Sequence, residues 1–251
     1  MATDFTTLSH LDQDRGLHDG FTPVQSLAPE RLDERDDKGR LVGRTWLRQG
    51  VLHGRMERFW PNGQTQLSAN YDAGQLDGLM YQFDDQGEPL QVAAYVQGRQ
   101  HGLTRVFVQG RCVSEQTFVD GVVHGPAVTY GSAGQPSTKM RFVKGQIDGP
   151  ASFFHEGRVV RQANYQAGLL EGEVSDFDRD GGLIQVAQYR ANVLEGPLRR
   201  YWPGGALMEE VTYTKGVPVG PPLRLDAEGR QIDNNEAQPG LLARLEKLVR
   251  G

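Results

Sequence analysis

The stretch Tyr71–Gly87, YDAGQLDGLMYQFDDQG, sets one aromatic, two glycines, a second aromatic and a turn glycine at fixed offsets, and that skeleton returns along most of the chain. The leading aromatic recurs at Tyr71, Tyr95, Phe118, Phe142, Tyr165, Tyr189 and Tyr213, with Leu47 in its slot one period earlier. The steps are 24, 24, 23, 24, 23, 24 and 24 residues. Self-similarity this regular decides the architecture before propensity is consulted, because each unit is one supersecondary element whose neighbours complete its packing.

The first glycine of a unit lies three residues after the leading position, at Gly50, Gly74, Gly98, Gly121, Gly145, Gly168 and Gly216, and Asn192 replaces it once. Asn is the non-glycine residue that best tolerates positive φ, so the slot reads as a left-handed turn position. A second glycine follows four residues later without exception, at Gly54, Gly78, Gly102, Gly125, Gly149, Gly172, Gly196 and Gly220. A ring from a neighbouring hairpin is expected to pack over each of these structural positions. Five residues on stands Phe59, Phe83, Phe107, Tyr130, Phe154, Phe177, Tyr201 or Leu225, then a turn glycine in phrases such as WPNG and DDQG. The one-residue variation in period falls just before that turn glycine, where a loop absorbs it.

Between the landmarks the residues are strand formers. Gln91–Gln97 and Leu103–Val108 are rich in Val, Tyr, Phe and Thr, and GRQHG between them reads as a glycine-bounded turn. The expected fold is therefore all-β: an elongated single-layer antiparallel sheet of about eight stacked β-hairpins, about sixteen strands and on the order of 75 Å long. Stacked in this way, the leading aromatics form one ladder and the second aromatics another.

This pattern resembles the MORN repeat, and more closely the MORN-repeat variant of YwqK-like bacterial antitoxin, or toxin-immunity, proteins, over residues 46–235. The resemblance implies an immunity protein that binds and neutralises a cognate toxin or secreted effector, without enzymatic activity. Its alternative, similar to the role of MORN arrays in eukaryotic proteins, is a protein-protein or membrane-associated scaffold or adaptor.

Three segments follow. Residues 1–45 are an N-terminal capping segment, or else a loosely ordered leader, in which APERLDERD (28–36) reads as a short helix with Pro29 in its first turn and 37–40 as a turn into a strand. Residues 46–235 are the array. Residues 236–251 are an amphipathic capping helix with Leu241, Leu242, Leu245, Leu248 and Val249 on one side, or else a partner-binding helix. Caps are expected because an open sheet has edges that invite pairing.

Composition bounds the function. The 251 residues leave no room beside the array for a separate catalytic domain, and 32 glycines with 37% hydrophobic residues fit a turn-rich β protein. One cysteine, Cys112, suits a reducing compartment, and the N-terminus lacks a secretion signal, so a cytoplasmic location is expected. A net charge of −5 argues against nucleic acid as partner, and no apolar run reaches membrane-spanning length. The chain is expected to be monomeric alone, with no cofactor, no metal and no catalytic residues. His53, His101 and His124 share a slot before the second glycine, but successive units stand two strands, about 9.6 Å, apart. Zinc ligands converge to about 2.0–2.1 Å from one ion, so these histidines read as turn-lining. Cys112 lies on a strand of alternating polarity with no group to lower its pKa.

Partner-binding candidates are the positions that change from unit to unit beside the second aromatic. Arg58 with Trp60, Phe153 with His155, and Arg200 with Trp202 have interface-anchor chemistry, although both tryptophans precede proline and packing in the turn competes with binding. A second, acidic set is Glu171, Glu195, Asp176 and Asp178, against which stands the ordinary role of a charge run as a solvated face.

Overall fold

The computed structural model describes residues 28–232, and every regular element within them is a β-strand. In order they are β1 (Glu30–Arg35), β2 (Leu41–Arg48), β3 (Val51–Phe59), β4 (Thr65–Asp72), β5 (Gln75–Phe83), β6 (Pro89–Val96), β7 (Arg99–Val108), β8 (Arg111–Val119) and β9 (Val122–Tyr130). Then come β10 (Pro136–Val143), β11 (Gln146–Ile147), β12 (Gly149–His155), β13 (Arg158–Gln166), β14 (Leu169–Phe177), β15 (Leu183–Arg190), β16 (Val193–Tyr201), β17 (Leu207–Thr214) and β18 (Val217–Arg224). All belong to one 18-stranded sheet. Each strand pairs antiparallel with its sequence neighbours, β11 being a short piece of the line that β12 continues. The chain is an open meander.

The expected all-β single layer of stacked hairpins is what the structure shows. The capping helix at 236–251 lies outside the described residues. Where 28–36 was expected to be a short helix, Glu30–Arg35 is instead an edge strand, paired from Glu30↔Leu47 to Arg35↔Leu41. Pairing with β2 outweighs a weak helical signal that carried only Leu32 as an apolar anchor.

Two kinds of turn alternate. On one margin, Gln49-Gly50, Ala73-Gly74, Gln97-Gly98 and their counterparts have positive φ at both residues, the type I′ hairpin geometry, and Asn192 takes the glycine place at φ 70°. The opposite margin carries three-residue loops closed by a left-handed glycine, such as 84–88, where Asp84 N–H donates to the Glu88 carbonyl at 2.9 Å. At Gln109-Gly110 and Glu156-Gly157 that margin has a two-residue turn instead, and these are the two units whose period is 23.

GRQHG (98–102) is not one turn. Only Gln97-Gly98 turns, and Arg99–Gly102 already belongs to β7. The second glycine sits in a β-bulge: on β4–β5 the register jumps from Ala69↔Met80 to Tyr71↔Leu76, so Asp77, Gly78 and Leu79 face Asn70 alone. Gly78 has φ +108°, outside what a side-chain-bearing residue readily adopts. Across the next strand pair Gly78 faces Tyr95, and Gly102 faces Phe118, so the leading aromatic of the following unit does stand opposite the bare backbone.

The aromatic ladders do not form as continuous stacks. Same-slot rings lie two strands apart, about 9.6 Å, beyond ring-contact range. Among the described residues the ring pair present is Tyr81 with Phe83, at 6.2 Å within one strand. Without a second layer the core is a row of small residues: Ala69, Ala93, Ala151, Ala163 and Ala187 are almost fully buried between larger neighbours, and no large side chain is fully buried among the described residues.

Candidate functional site

Cross-strand register sorts the surface into rows. The position before each second aromatic forms one continuous line: Glu34, Gly43, Arg58, Leu67, Gln82, Gln91, Val106 and Ser114, then Thr129, Thr138, Phe153, Arg161, Asp176, Gln185, Arg200, Glu209 and Arg224. Two residues along each strand runs the alanine row (Ala69, Met80, Ala93, Thr104, Gln116, Ala127), and beyond it the leading aromatics with their partners, such as Tyr71↔Leu76. All three rows share one face, since alternate residues of a strand point the same way.

The line before the second aromatic is ionic at its ends. From β13 to β18 it is a hydrogen-bonded ladder. Arg161 Nε and Nη2 donate to Asp176 at 2.5 and 3.0 Å, Gln185 donates to Asp176 at 3.3 Å, and Arg200 Nε donates to the Gln185 side-chain oxygen at 3.2 Å. Arg200 Nη1 and Arg224 Nε then share Glu209 at 2.7 and 3.1 Å. Hydrogen bonding to Asp176 raises the pKa of Arg161 above its ordinary range. At the other end Arg58 pairs with Glu34 across β2, where Gly43 has no side chain to block the guanidinium.

The sequence candidates are thus placed as follows. Arg58, Phe153, Asp176 and Arg200 lie on one row, the charged ones engaged by their own chain. Trp60 and Trp202 are half-buried at the loop margin, and their indole N–H groups donate to the Phe83 carbonyl at 3.2 Å and the Leu225 carbonyl at 3.0 Å, clasping the next unit. Asp178 folds into its own loop, accepting from the N–H groups of Asp180 and Gly182 at 2.9 and 2.7 Å. His155 is exposed beside Glu156.

The slot before the bulge glycine has a clear task. Asp77, Asp148, Glu171 and Glu195 accept the N–H of the first residue of the next type I′ turn, from Gln97, Ala167, Ala191 and Lys215 at 3.2, 3.1, 3.0 and 2.7 Å. His124 Nδ1 accepts from Lys144 N–H at 3.4 Å, while His53 and His101 face Asp72 and Asp120. The second turn N–H is taken by a carbonyl the bulge frees, as in Gly98 to Leu76 at 2.7 Å and Gly216 to Leu194 at 2.9 Å. Each unit thereby caps the turn of its successor.

The opposite face carries more charge. Arg105 donates to Glu115 at 2.8 Å and Tyr130 O–H to the same carboxylate at 3.0 Å, holding Glu115 below its ordinary pKa. Burial, then Glu115, pushes the Cys112 thiol up. A shallow groove of about 690 Å³ lies there between Arg55, Ser68, Asn70, Tyr81 and Phe83. Among the described residues no three His, Cys, Asp or Glu side chains converge to hold a metal ion.

A family model described as "MORN repeat variant" matches residues 52–73 and 194–215. Each match runs from just after one type I′ turn to the first residue of the next and contains the bulge glycine. The chain carries MORN-variant repeats. The units between the two matches share the same turns, slot and bulge, and MORN-variant repeats point to a repeat scaffold that binds protein. No curated protein matches the chain. Among solved structures, a mutant of S. aureus TarM in complex with fondaparinux, alpha-GlcNAc-glycerol and UDP is 14% identical over 43% of this chain and 19% of that one, with a TM-score of 0.21. A second TarM structure is 12% identical over 46% of this chain and 20% of that one, with a TM-score of 0.23. Scores this low carry no structural equivalence.

Sequence reasoning missed that the changing row is neutral in its middle. The signal was present in the letters Gln82, Val106 and Thr129, but only the register shows that these stand side by side.

Proposed function

We propose that this protein is a non-enzymatic immunity protein that binds a cognate cytoplasmic toxin or effector, such as a nuclease, stoichiometrically through its repeat sheet. The observation that carries the reading is the division of labour in the array. Glycines, turn caps and loop clasps are spent on holding unit to unit, and one face is left with a row that changes from Arg to Gln to Val to Thr to Phe along its length. A rigid surface of variable side chains on an invariant frame suits recognition of one protein. The resemblance of the repeat phrase to the YwqK-like antitoxin variant supports the immunity form over a general adaptor, and the acidic balance with no polybasic stripe weighs against a membrane-associated scaffold. The test is co-expression with the product of the neighbouring gene, after that product alone is shown to arrest growth. Rescue of growth by the wild-type chain is the expected result, and a chain that neither rescues nor forms a complex overturns the reading in favour of the scaffold.

A further inference from the structure

Between Arg58 on β3 and Arg161 on β13 the three rows of this face contain no Asp, Glu, Lys, Arg or His. The gap spans β4 to β12. It is bounded in the first row alone, from Leu67 to Phe153; the second and third rows pass through it and stay uncharged beyond it, with Met56 and Leu52 before it and Ala163, Val174, Tyr165 and Leu170 after. The same strands carry Arg105, Glu115, Lys139 and Arg141 on the opposite face, so the neutrality belongs to one side and not to the segment's composition. At both ends the first row gives way to the ion-paired stretches described above, while the two rows beside it remain uncharged. Depletion of charge at the centre, with aromatic and Met residues enriched and a polar rim, is the composition of an interface core.

We propose that the neutral window, and not the charged residues flanking it, is the core of the surface that takes the toxin, and that the toxin meets it with an uncharged, apolar patch. The inference rests on the immunity reading. Two observations select this occupant. Charge complementarity excludes a charged patch, because any carboxylate or ammonium brought against these rows loses water and finds no counter-ion. Size fits a standard interface as well: eight strands at about 4.8 Å give about 38 Å and three rows with their flanks about 20 Å, a footprint on the order of 800 Å² per partner, in which the buried alanine row is the floor and the first and third rows make the contacts.

The flanking ladder serves as rim. Arg58 and Arg200 already have partners within the chain, so they contribute orientation and exclude water. Val106, 38% exposed in the middle of the window, and Gln91 opposite it are the most direct probes.

The experiment uses the full chain and the purified product of the neighbouring gene as the candidate toxin, with affinity measured by titration calorimetry at low and high salt. Val106→Lys and Gln91→Lys, each first shown by circular dichroism to keep the wild-type melt, are expected to weaken binding on the order of a hundredfold by burying an unpaired charge. Arg141→Glu on the opposite face is expected to leave it unchanged. Wild-type affinity is expected to vary little with salt, because few ion pairs form. Wild-type binding that survives both lysines overturns the window while leaving the immunity reading intact. No wild-type complex removes that reading and this inference together. A free chain that is a dimer until Val106→Lys separates it assigns the window to a second copy and equally overturns the proposal.

Discussion

Replacing the bulge glycine of the seventh unit, Gly196→Ala, and of the sixth, Gly172→Ala, separates two costs that the repeat imposes. Gly172 has φ +84° and nothing within 4 Å of the place its Cβ would occupy, so alanine meets backbone strain alone. That strain is about 1–2 kcal/mol for an L-residue in the left-handed region. Gly196 has φ +111°, farther from the left-handed well, and its added Cβ would stand 3.2 Å from Gln188 Cβ. A Cβ cannot swing aside as a side-chain tip can, so β15 must shift, adding about 1 kcal/mol or more. Gly196→Ala is therefore expected to destabilise by about 3 kcal/mol, and Gly172→Ala by about half that. Urea unfolding followed by circular dichroism measures both, with slopes compared because repeat arrays can unfold in steps. Equal midpoints for the two variants, or a Gly196→Ala midpoint at the wild-type value, would refute the assignment of these glycines as strained bulges closed by a neighbouring strand.

Other expectations follow from the same geometry. Small-angle scattering should give a radius of gyration well above the roughly 18 Å of a compact chain of this length, since the meander alone spans about 75 Å; a value at the compact limit contradicts the open sheet. Glu195→Ala should lose about 1 kcal/mol and speed amide exchange at Lys215, whose N–H it caps at 2.7 Å, while an unchanged Lys215 rate removes the capping role. Glu115, Asp36 and Asp226 all have pKa values below their ordinary ones, through Arg105, Arg40 and the Arg230 N–H respectively. Because the folded values are depressed, the stability they add is present above the ordinary carboxylate range and is lost as pH falls through the lowered values. The urea midpoint should be flat from neutral pH to about pH 5, then fall below about pH 4, and Glu115→Gln should shrink that fall. An equal fall in the variant would show that Glu115 takes no part.

Much of the fold was legible because the period is written in residues with strong local meaning. Glycine and Asn192 marked the left-handed turns, and the 23-residue steps marked units with a shortened loop. The helix expected over 28–36 went astray because β1 is an edge strand exposed on both faces, so no alternation of apolar residues announced it. Bulges were hidden for another reason: Gly78 and its counterparts look like turn residues until the pairing on both sides is known. The candidate site was legible as a row but not as chemistry. Asp176 lies 15 residues from Arg161, and Glu195 acts on a turn 20 residues away, so their engagement depends on register between units. For the same reason the neutral window is invisible along the chain, where charged residues of the other face are interleaved with it.

The proposed stoichiometric neutralisation by binding is tested most directly by purifying the product of the neighbouring gene, titrating it with this chain and following any toxic activity that product has. Activity falling linearly to zero with a break near one equivalent is the predicted result. Activity that persists at a large excess of the chain, or that is destroyed by a small fraction of an equivalent, would contradict it.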